Sequence, residues 1–309
     1  VAVSALLAVL VLAACVAAVT ALAALAVAAT RGGPVAQAPA VARAARRHEA
    51  VVSLCAAAAS VAVVVLLVAS PLTPWATVAA WRGTAPGVPL FTSPLLAAVT
   101  FCLVRTLGEA LWPRPAGTVR RAPLVRRTAP DLGGWRLVVL LGTVAAGLLV
   151  VVAFGVTAEP DGRSVAHPPY LDGSGGLVTG ASGPYPGWAY GVPVAVALLA
   201  ALVAALVALR AVTRRAPLAL LPAEHDDAVR RTSAARVLAG AQLWTGLAIG
   251  GMALVAGVSL RSADHPLASL ASGLLGAGCA LGSVCVAATA LPGRRARDRH
   301  RRLAADVTA

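Results

Sequence analysis

Leu137–Val156 reads LVVLLGTVAAGLLVVVAFGV, an unbroken apolar run without one charged side chain. About 20 such residues in a helix cross the ~30 Å hydrocarbon core of a bilayer. Working outward, six more stretches meet the same requirement: Val1–Ala29, Ala50–Ala69, Leu95–Leu111, Val192–Leu209, Val237–Leu260 and Leu267–Ala290. The chain of 309 residues is 59% hydrophobic and only 12% charged, too little polar surface for a water-soluble body of that size. The expected fold is an all-α polytopic helix bundle of about seven transmembrane helices. Residues 1–292 form one membrane domain with an outer loop at 158–191, and 293–309 form an Arg-rich cytoplasmic tail.

The net charge of +14 has a distribution that reports topology. Every basic side chain apart from histidine is arginine, and they fall on alternate loops. Arg31, Arg43, Arg46 and Arg47 precede the second run. Arg114, Arg120, Arg121, Arg126, Arg127 and Arg136 lie between the third and fourth, and Arg210, Arg214, Arg215, Arg230, Arg231 and Arg236 between the fifth and sixth. The tail adds Arg294, Arg295, Arg297, Arg299, Arg301 and Arg302, whereas the opposite loops hold only Arg82, Arg163 and Arg261. Basic residues are retained on the cytoplasmic side, so the expected orientation is N-out and C-in, in the cell membrane. The expected partners are anionic lipid headgroups at the cytoplasmic face and a membrane or cytoplasmic protein, with no nucleic acid. Trp75, Trp81, Trp112, Trp135, Trp188 and Tyr190 flank the runs as an interfacial belt.

The absence of lysine removes Schiff-base chemistry and the P-loop amine. Cys15, Cys55, Cys102, Cys279 and Cys285 all sit in apolar runs without a CxxC pair, so neither a disulfide framework nor a zinc site is expected. His48-Glu49 begins an HExxH string, but Val52 stands where the second ligand belongs. No cofactor or metal is expected. Val1 lies inside an apolar run with no basic segment before it, which disfavours a cleaved signal peptide. Leu12-Ala13-Ala14-Cys15 matches the pattern preceding a lipid-modified cysteine.

Arg-Arg-Ala-Pro-Leu occurs at 120–124 and again at 214–218, a short echo in a biased composition. Pro222-Ala-Glu224-His225-Asp226-Asp227 reads as the solvated start of a helix. Its acidic first turn suits the helix dipole, and Asp226–Arg230 and Asp227–Arg231 are spaced to pair at i,i+4; a metal site is the competing reading.

Polar groups inside spans are functional candidates by default. Arg105 and Glu109 lie one helical turn apart on one face, either as a buried ion pair or as an arginine reaching the inner headgroups beside a carboxylate. Gln242 and Thr245 are placed as interhelical hydrogen-bonding groups, and Gly246, Gly250, Gly278 and Gly282 as close-packing positions in two GxxxG strings. The six-residue turn from Arg261 to Pro266 makes the last two spans antiparallel neighbours.

Gly180-Ala181-Ser182-Gly183, followed by Gly187, resembles the GxSGxxxG motif of rhomboid intramembrane serine proteases, with Trp81-Arg82 in an outer loop and His265 near the outer start of the last span. That resemblance implies a Ser182–His265 catalytic dyad in which histidine takes the hydroxyl proton. From the residues themselves, the leading expectation is a non-enzymatic permease-like or accessory membrane subunit acting with partners. The alternative is a sensor or receptor using the outer loop.

Overall fold

The computed structural model describes residues 40–69, 87–111, 128–171, 173–215 and 223–290, apart from the side chains of 40–43, 45–46, 69 and 223–225. Val1–Ala29, Cys15, Trp75, Trp81-Arg82, Trp112 and the tail lie outside the described residues, as do Arg114 to Arg127.

Among the described residues six helices follow in order: α1 (Ala40–Ala69), α2 (Val88–Ala110), α3 (Ala129–Thr157), α4 (Trp188–Arg214), α5 (Ala223–Ser262) and α6 (Pro266–Ala288). All six are long and apolar enough to cross a membrane, which makes this a multi-pass membrane protein. Of the seven expected spans, these correspond to the second through seventh; the first lies outside the described residues.

Four of these helices, α1, α3, α4 and α5, run further than the apolar stretches. The expected Val192–Leu209 lies within Trp188–Arg214, and Val237–Leu260 within Ala223–Ser262. Hydropathy marks what suits lipid, whereas backbone hydrogen bonding continues past the boundary wherever the residues tolerate a helix. The arginines expected in the fifth loop therefore sit largely on helix extensions of α4 and α5.

Many alanines line the helix contacts, and many of the large apolar side chains face outward. Ala97, Ala98, Ala205, Ala208, Ala253 and Ala256 are fully buried, while Leu66, Leu107, Leu149, Leu274 and Leu281 are exposed. Lipid offers no hydrophobic gain for pulling leucine inside, so close backbone approach decides the interior. The hub is α5, with 78% of its membrane window buried against 22% for α1 and for α6. It packs on α6, α2, α3 and α4.

Between α3 and α4, residues 158–187 fold into a cap. Two short antiparallel pairs form one hairpin: β1 (Val165–Ala166) with β4 (Ala181–Ser182), and β2 (Tyr170–Leu171) with β3 (Leu177–Val178). The register is Val165↔Ser182 in the outer pair and Tyr170↔Val178 in the inner one. The first arm thus carries one more residue than the second between the pairs, a bulge. At Gly162, φ is +65° and a Cβ would stand 2.9 Å from the Ala189 nitrogen, so only glycine lets the cap turn against the start of α4.

Candidate functional site

The helix ends at the arginine-rich end of the bundle are joined by a buried ring of charge. Its centre is Glu49 of α1. Glu49 Oε1 accepts from Arg105 Nη2 of α2 at 2.7 Å and from Arg236 Nη1 of α5 at 3.0 Å; Ser233 Oγ lies 3.4 Å from Oε2. Arg105 also donates through Nη1 to Ser53 Oγ at 2.9 Å. On the other side Glu109 is 4.0 Å from Arg105 and accepts from Arg215 Nη1, just beyond α4, at 3.2 Å.

Arg230 extends this set through backbone carbonyls. Its Nη2 donates to the Arg215 carbonyl at 2.7 Å and its Nη1 to that of Val212 at 2.9 Å. These are carbonyls of the α4 C-terminus, which has no intrahelical donors for them. Arg230 Nε is held by Asp226 Oδ2 at 2.8 Å. Arg105 and Arg230 are 1% and 0% exposed, Glu109 6% and Asp226 3%. Charge this deep in a bilayer protein is tolerated only when paired, and each carboxylate here meets a guanidinium.

Arg105 and Glu109 are therefore a buried pair within a larger set, not an arginine reaching for headgroups. The expected Asp226–Arg230 pair is made, but it is buried between α4 and α5 rather than solvated, because the end of α4 packs over it. Glu49 belongs to this ring. Its neighbour His48 bonds the Gly108 carbonyl through Nε2 at 2.8 Å. Among the described residues no three His, Cys, Asp or Glu side chains converge. Hydropathy and motif reading missed Glu49 as a partner of Arg105, Arg215 as a partner of Glu109 and Arg236 as a second partner of Glu49; the available signal was a carboxylate near the start of an apolar run, which has to find a cation.

Further inside, Gln242 joins three helices. Its Nε2 donates to Thr143 Oγ1 of α3 at 2.9 Å and to Ser283 Oγ of α6 at 3.0 Å. Thr245, one turn on, is 1% exposed, and its hydroxyl makes no hydrogen bond. The α5–α6 contact runs through Gly246 and Gly250. A Cβ at Gly250 would stand 2.8 Å from the Gly276 carbonyl, and one at Gly246 3.0 Å from that of Cys279. The assignment of Gly278 and Gly282 to this contact is corrected. Both are exposed, with nothing within 4 Å of a Cβ. The α6 stripe facing α5 is instead Gly276, Cys279, Ala280 and Ser283, offset around the helix from the GxxxG string.

At the opposite end the cap is tied down mainly by backbone acceptors. Ser259 Oγ of α5 donates to the Pro184 carbonyl at 2.5 Å, beside a cis Gly183–Pro184 bond. His265 Nε2 bonds the Ala166 carbonyl at 2.8 Å. Tyr185, 1% exposed, shares a 2.7 Å hydrogen bond with Thr157 and stacks edge-on to Phe154; burial raises its phenol pKa. Asp161 accepts from the Arg163 and Ser164 backbone N–H groups at 2.8 and 3.1 Å and from the Ser164 hydroxyl. The Arg163 N–H bond, with the Ser164 bonds behind it, holds the Asp161 carboxyl below its ordinary range.

Ser182 and His265 do not form the implied dyad in this structure. Ser182 lies on strand β4 of the cap instead of at a helix start, and the His265 Nε2 is engaged by Ala166.

Comparison of the chain with protein-family models, with curated proteins and with solved structures returns no match.

Proposed function

We propose that this protein is a non-enzymatic, permease-like or accessory subunit of the cell membrane, with seven spans, N-out and C-in, acting with a protein partner at its arginine-rich cytoplasmic face. The observation that supports this reading is the Glu49–Arg105–Glu109–Arg215–Arg230–Arg236 ring. It locks the ends of α1, α2, α4 and α5 into one rigid platform at the face from which the arginine-rich segments project. A platform whose arginines are held by Glu49, Glu109 and Asp226 leaves the surrounding arginines for lipid phosphates and for acidic surfaces of a partner. The test is isolation of the intact protein from its native membrane in nanodiscs, followed by identification of what accompanies it. A stoichiometric cytoplasmic or membrane subunit, lost when Arg210, Arg214 and Arg231 are replaced by glutamine, is the expected result. A chain that comes out alone overturns the reading.

The folded cap favours a second reading, a sensor of an extracytoplasmic ligand. A shallow cleft of about 700 Å³, lined by Glu159, Asp161, Trp188 and neighbouring backbone, opens beside it. Ligand-dependent protection of amides 158–187 from hydrogen exchange would select this reading over the first.

A further inference from the structure

We infer that the opening between α1, α5 and α6 at the arginine-rich end is a binding site for a phospholipid with an anionic headgroup, whose phosphate meets Arg236. The charges around Glu49 do not balance. Arg105, Arg215 and Arg236 are joined through two carboxylates, Glu49 and Glu109, which leaves one positive charge in the connected set. Arg230 and Asp226 form an ion pair of their own. Of the three joined arginines only Arg236 reaches the surface, its side chain 16% exposed against 1% for Arg105 and 0% for Arg215. Its bond from Nη1 to Glu49 is the one hydrogen bond it makes among the described residues. A guanidinium carries five N–H donors in a planar fork, so most of this one is unused.

The rest of the site is apolar. A cleft is lined by Arg236 and Gly240 of α5, Ser53 of α1, Phe101 of α2, and Ala287 and Ala290 at the end of α6. The Ser53 hydroxyl is already engaged, donating to the Glu49 carbonyl and accepting from Arg105. The enclosed part measures about 30 Å³, room for a water-sized group and not for a headgroup. The lipid therefore lies across the mouth, with its phosphate on Arg236 and an acyl chain running inward. At 3.6 residues per turn Arg236, Gly240 and Leu247 fall on one face of α5, and Leu247 is half-buried there. Arg236 is the residue before the apolar run that begins at Val237, the depth at which an arginine meets lipid phosphates. Charge selects the occupant. A zwitterionic lipid brings its own cation to the site, and a free phosphate brings no chain for the apolar wall. An anionic phospholipid supplies both parts, and the arginine fork suits its phosphate oxygens. The site rests on the bilayer placement of the arginine-rich face proposed above and not on a protein partner, so the purified chain alone tests it.

The full-length protein is placed in nanodiscs of equal parts phosphatidylglycerol and phosphatidylcholine with matched chains. Native mass spectrometry then counts the lipids that stay bound on release. The expected result is one retained phosphatidylglycerol, with retention falling about tenfold in Arg236→Gln, partly kept in Arg236→Lys and unchanged in Arg231→Gln. Arg231 is exposed and lies about 140° round α5 from Arg236. Equal retention in the wild type and in Arg236→Gln would overturn the inference. An equal loss in Arg231→Gln would mean diffuse attraction to a basic surface and overturn it too. Displacement of the lipid by free glycerol phosphate would show a site for soluble phosphates and overturn the lipid assignment. Should Arg236→Gln fail to fold, a second measurement uses the wild type alone. Phosphatidylglycerol with a diazirine in its acyl chain should label α5 around Gly240 and Leu247 more than the matching phosphatidylcholine probe does; equal labelling by the two would overturn the inference.

Discussion

The two ends of this bundle are fastened by different chemistry. At the arginine-rich end the ligatures are side-chain charges: Glu49 holds two arginines from two other helices, and Arg230 binds the carbonyls that finish α4. At the cap end single neutral donors reach backbone carbonyls, Ser259 to Pro184 and His265 to Ala166, around an aromatic cluster of Phe154 and Tyr185. The difference follows from what each end joins. Four helix ends converge at the first, and a helix terminus buried in protein needs donors and acceptors that long charged side chains supply. The second joins helices to a short hairpin whose own strands leave carbonyls free. One end is therefore cooperative, because each charge has several partners, and the other is a set of separate contacts.

The largest effect that would test this contrast is at Glu49. Replacing it by alanine leaves the buried Arg105 and the half-buried Arg236 without their shared carboxylate. Breaking a buried pair from one side costs about 3–5 kcal/mol, and here two arginines lose a partner at once. Thermal unfolding in nanodiscs should fall by a margin of that order, and Arg105→Met in the same background should recover part of it by removing one orphaned cation. No recovery would mean that the ring acts as independent pairs.

Next in size is the α5–α6 contact, which belongs to neither end. Gly250→Ala sets a Cβ against the Gly276 carbonyl, and overpacking of this kind costs about 1–3 kcal/mol. Gly278→Ala points into open space and should be neutral to slightly stabilising, since alanine favours the helix. Equal loss in the two variants would undo the assignment of the contact face.

Ser259→Ala removes one hydrogen bond from the cap, worth about 1 kcal/mol. It should loosen the cap locally without lowering the melting of the bundle. Amide exchange around Pro184–Gly187 measures the first and thermal unfolding the second; a global drop would show that the cap and the ring are one cooperative unit after all.

The smallest effect is a pH dependence confined to the cap. The folded-state pKa of Asp161 is depressed, so its contribution is present above the unfolded value, about 3.9. It is lost as pH falls through the lower folded value. The Arg163 and Ser164 amide resonances should therefore titrate with a midpoint below 3.9, and the titration should vanish in Asp161→Asn. A midpoint at or above 3.9 would mean that these backbone bonds do not form in solution.

Much of the helix arrangement was legible in the sequence, because crossing a bilayer is a demand that each residue meets singly and that sums along a window. The alternation of arginine-rich and arginine-poor connections placed the helix ends in two groups, and the short turn at 261–266 made α5 and α6 neighbours. The candidate site was legible only as fragments. Arg105 and Glu109 stood out as charges in an apolar run, and Gln242 and Thr245 as polar groups in another, but nothing local to them names a partner. Asp226–Arg230 shows the limit well: the spacing foretold the pair, while its burial depended on α4 ending above it. Gly278 and Gly282 show it from the other side, since the string fits a packing motif and the helix turns that face away.

The sequence by itself determined which segments suit lipid, where polarity changes along the chain and which chemistries the absence of lysine removes. Each of these is a property of residue type summed over near neighbours. The tertiary structure decided that Glu49 meets Arg105 and Arg236 from far along the chain, that the 158–187 segment folds as an anchored hairpin, and that Thr245 keeps an unpaired hydroxyl. Those depend on helix rotation and on which ends converge. In a bundle packed through alanine and glycine, these are set by how closely backbones approach, a quantity that no single stretch of sequence carries.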